Sequence, residues 1–403
     1  MELGPIWRAI LRNKSGYVLI ALQIAVTMAI MVNSVAIIQQ RIKDMGRPSG
    51  TDEDNIFTVA STAFVPNTDM RSLIDEDLAL IRGTPGVRNA IATNSFPLRQ
   101  GGWSMQLQTE PGTGKTGVGT AIYFSDEHAI DAFGTNLVEG RNFAPNQVSW
   151  NEEADHTWPQ TGILTRALAD ALFPDETGSV IGKTVYINDN DPVTIVGIVD
   201  RLQAPWQGWD SVENSMLVPQ RRDSEFQRYV IRAEPGYRDE LMPQIEEALA
   251  QSNKNRIIQG VRTMTEVRNR SYLGDLAMVK ILAFIIVLLT AITGFGIVGL
   301  ASFSVSRRTR QIGIRRALGA TQPAILRYFM TENFIISSVG VVLGALLAIS
   351  LNMFMVQMFA VTPMAWYVIP AAMIVLWLVG QAAVAGPARS ASRISPAIAT
   401  RSG

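Results

Sequence analysis

The run ILAFIIVLLTAITGFGIVGLASF, Ile281–Phe303, contains no charged residue. A helix needs about 20 such residues to cross the ~30 Å hydrocarbon core of a bilayer. A buried helix of a soluble domain seldom stays apolar on all sides for so long. Three more stretches read the same way: YVLIALQIAVTMAIMVNSVAII (Tyr17–Ile38), NFIISSVGVVLGALLAISLNMFMV (Asn333–Val356) and WYVIPAAMIVLWLVGQAAVA (Trp366–Ala385). None of them holds an Asp, Glu, Lys or Arg. The chain is therefore expected to be an α-helical membrane protein with four spans.

Composition points the same way. Only 17% of the 403 residues are charged, against ~25% in ordinary globular chains, so part of the chain avoids water. Cysteine is absent, which excludes disulfides, thiolate metal sites and cysteine nucleophiles. The two histidines, His128 and His156, sit in polar surroundings and read as solvated surface residues, so histidine catalysis and histidine metal clusters are poorly supplied. A formal net charge of zero gives no overall case for a nucleic-acid partner.

The first span follows Arg8, Arg12 and Lys14, as a signal peptide would. Its apolar run exceeds the 7–15 residues of a signal core, and QQRIKD after it offers no small-residue cleavage site. An uncleaved anchor is expected. The remaining basic residues set the orientation. Arg307, Arg308, Arg310, Arg315, Arg316 and Arg327 lie between the second and third spans, and Arg389, Arg393 and Arg401 lie in the tail. These regions and both termini are expected in the cytoplasm. The expected limits are 1–16 for an amphipathic cytoplasmic approach, 17–38 for the first span, 39–276 for an extracytoplasmic domain and 277–303 for the second span. A basic cytoplasmic loop at 304–332, spans at 333–356 and 366–385, and a tail at 386–403 complete the chain.

The external stretch reads as α+β. NIFTVAS alternates like a strand, DMRSLIDEDLALIRGTPG like an amphipathic helix stopped by glycine and proline, and VRNAIATNS like a second strand. YVIRAE, YRDELMPQIEEALAQSN and RIIQGVRTM repeat the pattern. Two βαβ units split by an insertion imply a ferredoxin-like sandwich carrying a β-rich inserted subdomain, at about 123–215. Within the insertion, TVYINDNDPVTIVGIVD reads as a hairpin over the Asn188–Asp191 turn. Asp189 and Asp191 lack the further ligands and the terminal acid of a calcium loop, so no metal is expected. Trp206 and Trp209 read as packing residues, with a partner-binding edge as the alternative.

Gly114-Lys115-Thr116 in EPGTGKTG resembles the end of a phosphate-binding loop, but Thr109 stands where the first glycine belongs. The residues after it, GVGTAIYF, read as a strand rather than a helix. A solvated hairpin tip is expected, and ATP is essentially unavailable on that side of the membrane.

The most specific stretch is SRRTRQIGIRRALGATQPAILRYFMTEN, Ser306–Asn333. Ile312, Arg315, Arg316 and Gly319 follow helical spacing, with Gly319 where a helix would end. Leu318, Ile325 and Leu326 are expected to give that helix its apolar side. Anchoring on anionic headgroups accounts for the charge but not for the order Ile-Gly-Ile-Arg-Arg-Ala-Leu-Gly-Ala. In span three, Gly340-x-x-x-Gly344 has the spacing that lets membrane helices approach closely. Glycine is common enough in such helices that chance explains it equally well.

RRTRQIGIRRALGAT, the lead-in WRAILRNKSGYVLIALQIAV and the tail GPARSASRISPAIATR, with Pro387, Ala388, Arg389 and Pro396, resemble FtsX/MacB-type permeases of ATP-binding-cassette systems. The four-span layout with one large first loop is that family's topology, so the resemblance covers the whole chain, most strongly over residues 275–403. It implies that Arg308, Arg310, Gln311, Ile312, Gly313, Ile314, Arg315, Arg316, Ala317, Leu318, Gly319 and Ala320 form a coupling helix docking on a separate cytoplasmic ATPase. Gln311 and Ile398 depart from the family's usual Glu, which alters that contact or marks one half of a heterodimer. The resemblance further implies a non-catalytic membrane subunit with no cofactor of its own, ATP and Mg belonging to the ATPase. A second permease chain, identical or not, a periplasmic adaptor and an outer-membrane channel are the other implied partners. Efflux of periplasmic substrates such as an antibiotic, a peptide or a lipid-like molecule is the leading function. Lipoprotein release, regulation of a cell-wall hydrolase and a plain anchored receptor are the alternatives.

Overall fold

A computed structural model of the protein describes residues 14–151, 158–359 and 363–395. Arg8, Arg12, His156, Pro396, Ile398 and Arg401, named above, lie outside them. In chain order the elements are α1 (Lys14–Met45), β1 (Ile56–Ala63), α2 (Met70–Gly83), β2 (Val87–Ala92), β3 (Trp103–Gln108), β4 (Val118–Ser125), α3 (Ala129–Phe133), β5 (Leu137–Gly140), β6 (Ser149–Asn151), β7 (Thr161–Thr165), α4 (Arg166–Leu172), β8 (Thr184–Ile187), β9 (Asp191–Val199), β10 (Ser215–Arg222), β11 (Phe226–Ala233), α5 (Arg238–Ser252), β12 (Arg256–Thr263) and α6 (Met264–Ser271). The long helix α7 (Leu273–Arg307), the short helix α8 (Thr309–Ala317), α9 (Gln322–Phe359) and α10 (Val368–Ser392) follow. The chain divides into two compact units, Gly46–Leu273 and the rest.

In the first unit, β12, β1, β11 and β2 form an antiparallel sheet in that order. Two βαβ passes, β1-α2-β2 and β11-α5-β12, thus interleave their strands. Alternation puts Phe57, Val59, Tyr229 and Ile231 on one face, where Ile74, Leu78 and Ile81 of α2 and Leu241, Ile245 and Leu249 of α5 cover them. Helix α2 starts where Asp69 accepts the Ser72 amide at 3.2 Å, an N-cap that satisfies one of the orphan donors of the first turn. Within this apolar layer Asp77 is 1% exposed. It accepts the Tyr229 hydroxyl at 2.5 Å and pairs with Arg256, whose guanidinium also donates to the Leu249 carbonyl. One carboxylate so joins α2, β11, β12 and the end of α5.

Strands β3–β10 fill the interval between the two passes. Their order is β4-β3-β8-β9-β7-β10-β6, with β5 on β9, and β10 also pairs β4 in parallel, which closes six strands into a ring. Leu107, Ile122, Phe124, Leu164, Ile195, Met216 and Val218 pack inside it. This subdomain runs from Trp103 to Arg222 and is wider than the 123–215 expected, because β3 and the start of β4 pair with insertion strands rather than with the sandwich. EPGTGKTG is the tip of the β3–β4 hairpin, where Leu107 is opposite Val118. Gly112 (φ 117) and Gly114 (φ 76) hold its left-handed turns. Lys115 reaches Glu110 at 2.6 Å on the surface. The β8–β9 hairpin turns through Asn188 (φ 47) and Asp189 (φ 68).

Among the described residues, the second unit has four helices long and apolar enough to cross a membrane. They overrun the expected limits, since polar residues extend a hydrogen-bonded helix beyond its apolar window: α1 continues to Met45, and α9 starts at Gln322, inside the stretch expected to be loop. Helix α1 is central. Of its apolar window 61% is buried inside the chain, against 11% for α7. Ile24, Met28 and Val32 of α1 meet Val341 and Ala348 of α9 and Leu376 and Val384 of α10. A Cβ at Gly340 would lie 2.8 Å from the Ala21 carbonyl oxygen, and one at Gly344 2.7 Å from Met28 Cβ, so α9 lies backbone-close on α1. Several polar side chains in the spans find partners: Thr27 with Thr293 at 2.9 Å, Asn33 with the Ala348 carbonyl at 3.3 Å, and Asn333 with the Gly380 carbonyl at 3.0 Å. Hydrocarbon offers unpaired polar groups nothing else.

Candidate functional site

The basic segment folds into a corner, a short helix and a turn. Helix α7 ends at Arg307, Arg308 leaves helical geometry (φ −107, ψ 11), and α8 runs from Thr309 to Ala317. Gly319, at φ 96, then reverses the chain. Its N–H donates to the Arg316 carbonyl at 3.1 Å and the Ala320 N–H to that of Arg315 at 3.0 Å, closing the last turn. A left-handed residue at this position is the common helix stop, and glycine takes it without steric cost.

The helix has two unlike faces. Ile312 and Gly313 are buried, and Ile312 packs on Ile325 and Phe329 of α9 and on Ala388 and Ala391 of α10. Arg310, Gln311, Ile314, Arg315, Ala317, Leu318 and Gly319 are exposed. Ile314 is 48% and Leu318 83% exposed, four positions apart on the same side. The residues expected to give the segment its apolar side divide: Ile325 is buried on α9, whereas Leu318, just before Gly319, is exposed. No Asp or Glu occurs from Ser306 to Thr331, so an apolar pair stands on a purely cationic surface.

The arginines divide between outside and inside. Arg310 is exposed. Arg315 is exposed and lies 5.2 Å over the Tyr328 ring. Arg316 is half-buried and donates to the Ala320 carbonyl at 3.3 Å. Arg308 turns inward to Glu332, at 3.0 and 3.2 Å, and to the Tyr17 oxygen at 3.0 Å. The twelve residues expected to act together thus do not share one face. From the sequence, Tyr17 is only the start of a span and Glu332 is given no role. A carboxylate beside a membrane-length apolar run, rare and normally paired, was the available signal.

At the opposite end of these helices, Arg41 in the penultimate turn of α1 pairs with Asp275 in the first turn of α7 at 2.7 Å. Within the α+β unit, Arg268 of α6 donates to both oxygens of Glu53, at 2.7 and 2.5 Å, and to the Arg47 carbonyl at 3.0 Å. The two stretches by which that unit joins the membrane helices are therefore held together. Burial alone would raise the Glu53 carboxyl, but hydrogen bonds from Arg268 and Ser49 outweigh it and hold the group below the ordinary glutamate value.

Four membrane-length helices, a large α+β unit inserted after the first, and a basic amphipathic helix between the second and third define a membrane permease subunit. The MacB-like periplasmic core domain family matches residues 18–251 and the FtsX-like permease C-terminal family residues 283–396. The chain belongs to the MacB/FtsX-type permeases of ABC transporters. It is 27% identical over 279 residues to the macrolide export ATP-binding/permease protein MacB of Shewanella oneidensis, covering 64% of this chain and 41% of that one. It is 23% identical over 412 residues to MacB 1 of Yersinia pestis, covering 97% and 59%. The chain thus spans less than two thirds of these relatives' length. Among solved structures, the periplasmic region of MacB from Actinobacillus actinomycetemcomitans aligns at a TM-score of 0.34 and 16% identity, over 57% of this chain and 97% of that one.

Proposed function

We propose that this chain couples an ABC ATPase, lying outside these 403 residues, to movement of its periplasmic domain, in MacB-like efflux of periplasmic substrates. On this reading α8 and both termini face the cytoplasm, and the outer side of α8 docks on the ATPase. A second permease chain, a periplasmic adaptor and an outer-membrane channel complete the assembly. The observation that carries the reading is the pair Ile314 and Leu318, held outward on a helix whose other side is packed. An exposed apolar patch of this kind marks an interaction surface. Lipid anchoring of the arginines alone would not need a buried inner face that fixes which residues point out.

Burying Ile314 and Leu318 against a partner contributes roughly 1.5–3 kcal/mol each. Ile314→Asp/Leu318→Asp should therefore weaken ATPase retention by about a hundredfold or more, while the chain still inserts in the membrane. Wild-type co-purification of the ATPase with the double variant would remove the docking assignment.

Release of lipid-anchored cargo is a second reading. It is favoured by an apolar groove of about 790 Å³ among α1, α7 and α10, lined by Met31, Val35, Ile286, Phe295 and Val379. Acylated cargo trapped on the chain when hydrolysis is blocked would select it over efflux.

A further inference from the structure

We propose that Arg308, Glu332 and Tyr17 form a positioning latch that ties the docking helix to the central membrane helix, so that Arg308 serves the coupling without touching the ATPase. This rests on the docking role of α8 proposed above.

The corner between α7 and α8 is one residue long. The Arg308 N–H donates to the Ser304 and Val305 carbonyls, at 3.2 and 3.1 Å, and its carbonyl accepts the Ile312 N–H at 2.9 Å. A joint this short would let α8 swing about α7 unless a side chain fixes it. Thr309 Oγ1 braces it locally, on the Val305 and Ser306 carbonyls at 3.1 and 2.9 Å, and Arg308 ties it to α1 and α9. One nitrogen of its fork straddles the two Glu332 oxygens, and the other donates to the Tyr17 oxygen. The Tyr17 hydroxyl donates in turn to Glu332 Oε1 at 2.7 Å. The Arg308 and Glu332 side chains are 18% and 5% exposed, and Tyr17 is 6% exposed.

Two helices, α1 and α9, and the α7–α8 corner therefore meet on one carboxylate that is largely shielded from solvent. Electrostatic and hydrogen-bonding terms are stronger there than at the surface. The guanidinium serves the two partners at once through separate nitrogens, Nη1 on Glu332 and Nη2 on Tyr17, which a single lysine ammonium could not do in this fixed geometry. An arginine meant for a partner would stand out like Arg310. With Ile312 packed on α9 and α10 and Arg308 locked to Tyr17, α8 is held at two points. Displacement of its outer face must then move the start of α1, the helix at the centre of the bundle.

The test uses the full chain with its ATPase in detergent, comparing Arg308→Ala, Glu332→Gln and Tyr17→Phe. Two quantities are measured: ATPase retained on the tagged chain, and the ATP-dependent change in mobility of a spin label at Ile42, an exposed position near the far end of α1. All three variants should retain the ATPase within about twofold of the unmodified chain, while the label response falls roughly tenfold, within the range of linked-site coupling. Tyr17→Phe, which deletes one oxygen, guards against misfolding as the explanation, and retained ATPase certifies a folded docking surface. Loss of the ATPase in Arg308→Ala alone would make Arg308 a docking contact and overturn the latch. So would a normal label response in all three. An unmodified chain that retains no ATPase would instead refute the docking role itself, and the latch with it.

Discussion

Arg41 and Asp275, 234 residues apart in sequence, lie 2.7 Å apart and join the penultimate turn of α1 to the first turn of α7. Their side chains are 38% and 12% exposed, so solvent screens much of the attraction, and the pair contributes no more than about 1 kcal/mol to stability. Its value lies in register. Arg41→Ala should leave thermal unfolding of the chain nearly unchanged but reduce ATP-driven output of the assembled transporter. A large fall in melting temperature with normal output per folded molecule would mark the pair as merely stabilising.

Asp77 should behave in the opposite way. Removing its carboxylate strands Arg256 and the Tyr229 hydroxyl in the apolar layer between sheet and helices. Breaking a buried pair from one side costs roughly 3–5 kcal/mol. Asp77→Ala should unfold the periplasmic unit at markedly lower denaturant concentration, and joint replacement of Asp77 and Arg256 by apolar residues should recover part of the loss.

Glu53 should add a pH-dependent element to the root of that unit. Its carboxyl is held below the ordinary value of 4.5, because the Arg268 and Ser49 hydrogen bonds outweigh the opposing effect of burial. A depressed carboxyl stabilises the fold fully above the unfolded value and loses that contribution as pH falls through the lower folded value. Unfolding of the chain followed below pH 4.5 should show this acid loss, and Glu53→Gln should flatten it. An identical acid profile in the variant would contradict the assignment.

Gly344 lies against Met28 and Ala25 of α1, with no room for a Cβ. Gly344→Leu should force α9 off α1 at a cost of about 1–3 kcal/mol or more, as overpacking does. Gly319→Ala differs in kind: space around it is open, and the cost is backbone strain at φ 96, which should loosen the end of α8 and misdirect Leu318. Thermal unfolding separates the two, with the larger shift expected for Gly344→Leu.

The spans were legible because hydrocarbon forces length and apolarity on every residue of a crossing helix, and Ile281–Phe303 alone establishes the class. The two βαβ passes were legible because NIFTVAS and DMRSLIDEDLALIRG carry their periods locally. The closed β subdomain was not, since β10 pairing both β4 and β7 is a long-range choice that no local pattern encodes. Asp77 was hidden in the run DED, which looks solvated until Arg256 arrives from the far end of the unit. The exposure of Leu318 was not legible: its N–H keeps helical register on the Ile314 carbonyl at 3.0 Å, and which side of α8 faces inward is set by Ile312 packing on α9 and α10, a long-range contact. Arg308 looked like one more member of a basic cluster, because nothing in its neighbourhood announces Glu332 on the next helix as its partner.

The central claim, that the outer side of α8 meets the ATPase, is tested most directly by site-specific photo-crosslinking from Leu318 and, separately, from Ile312 in the assembled transporter. Leu318 should crosslink to the ATPase and Ile312 only within its own chain. Crosslinking of Leu318 to lipid alone, or equal capture of the ATPase from both positions, would contradict the account.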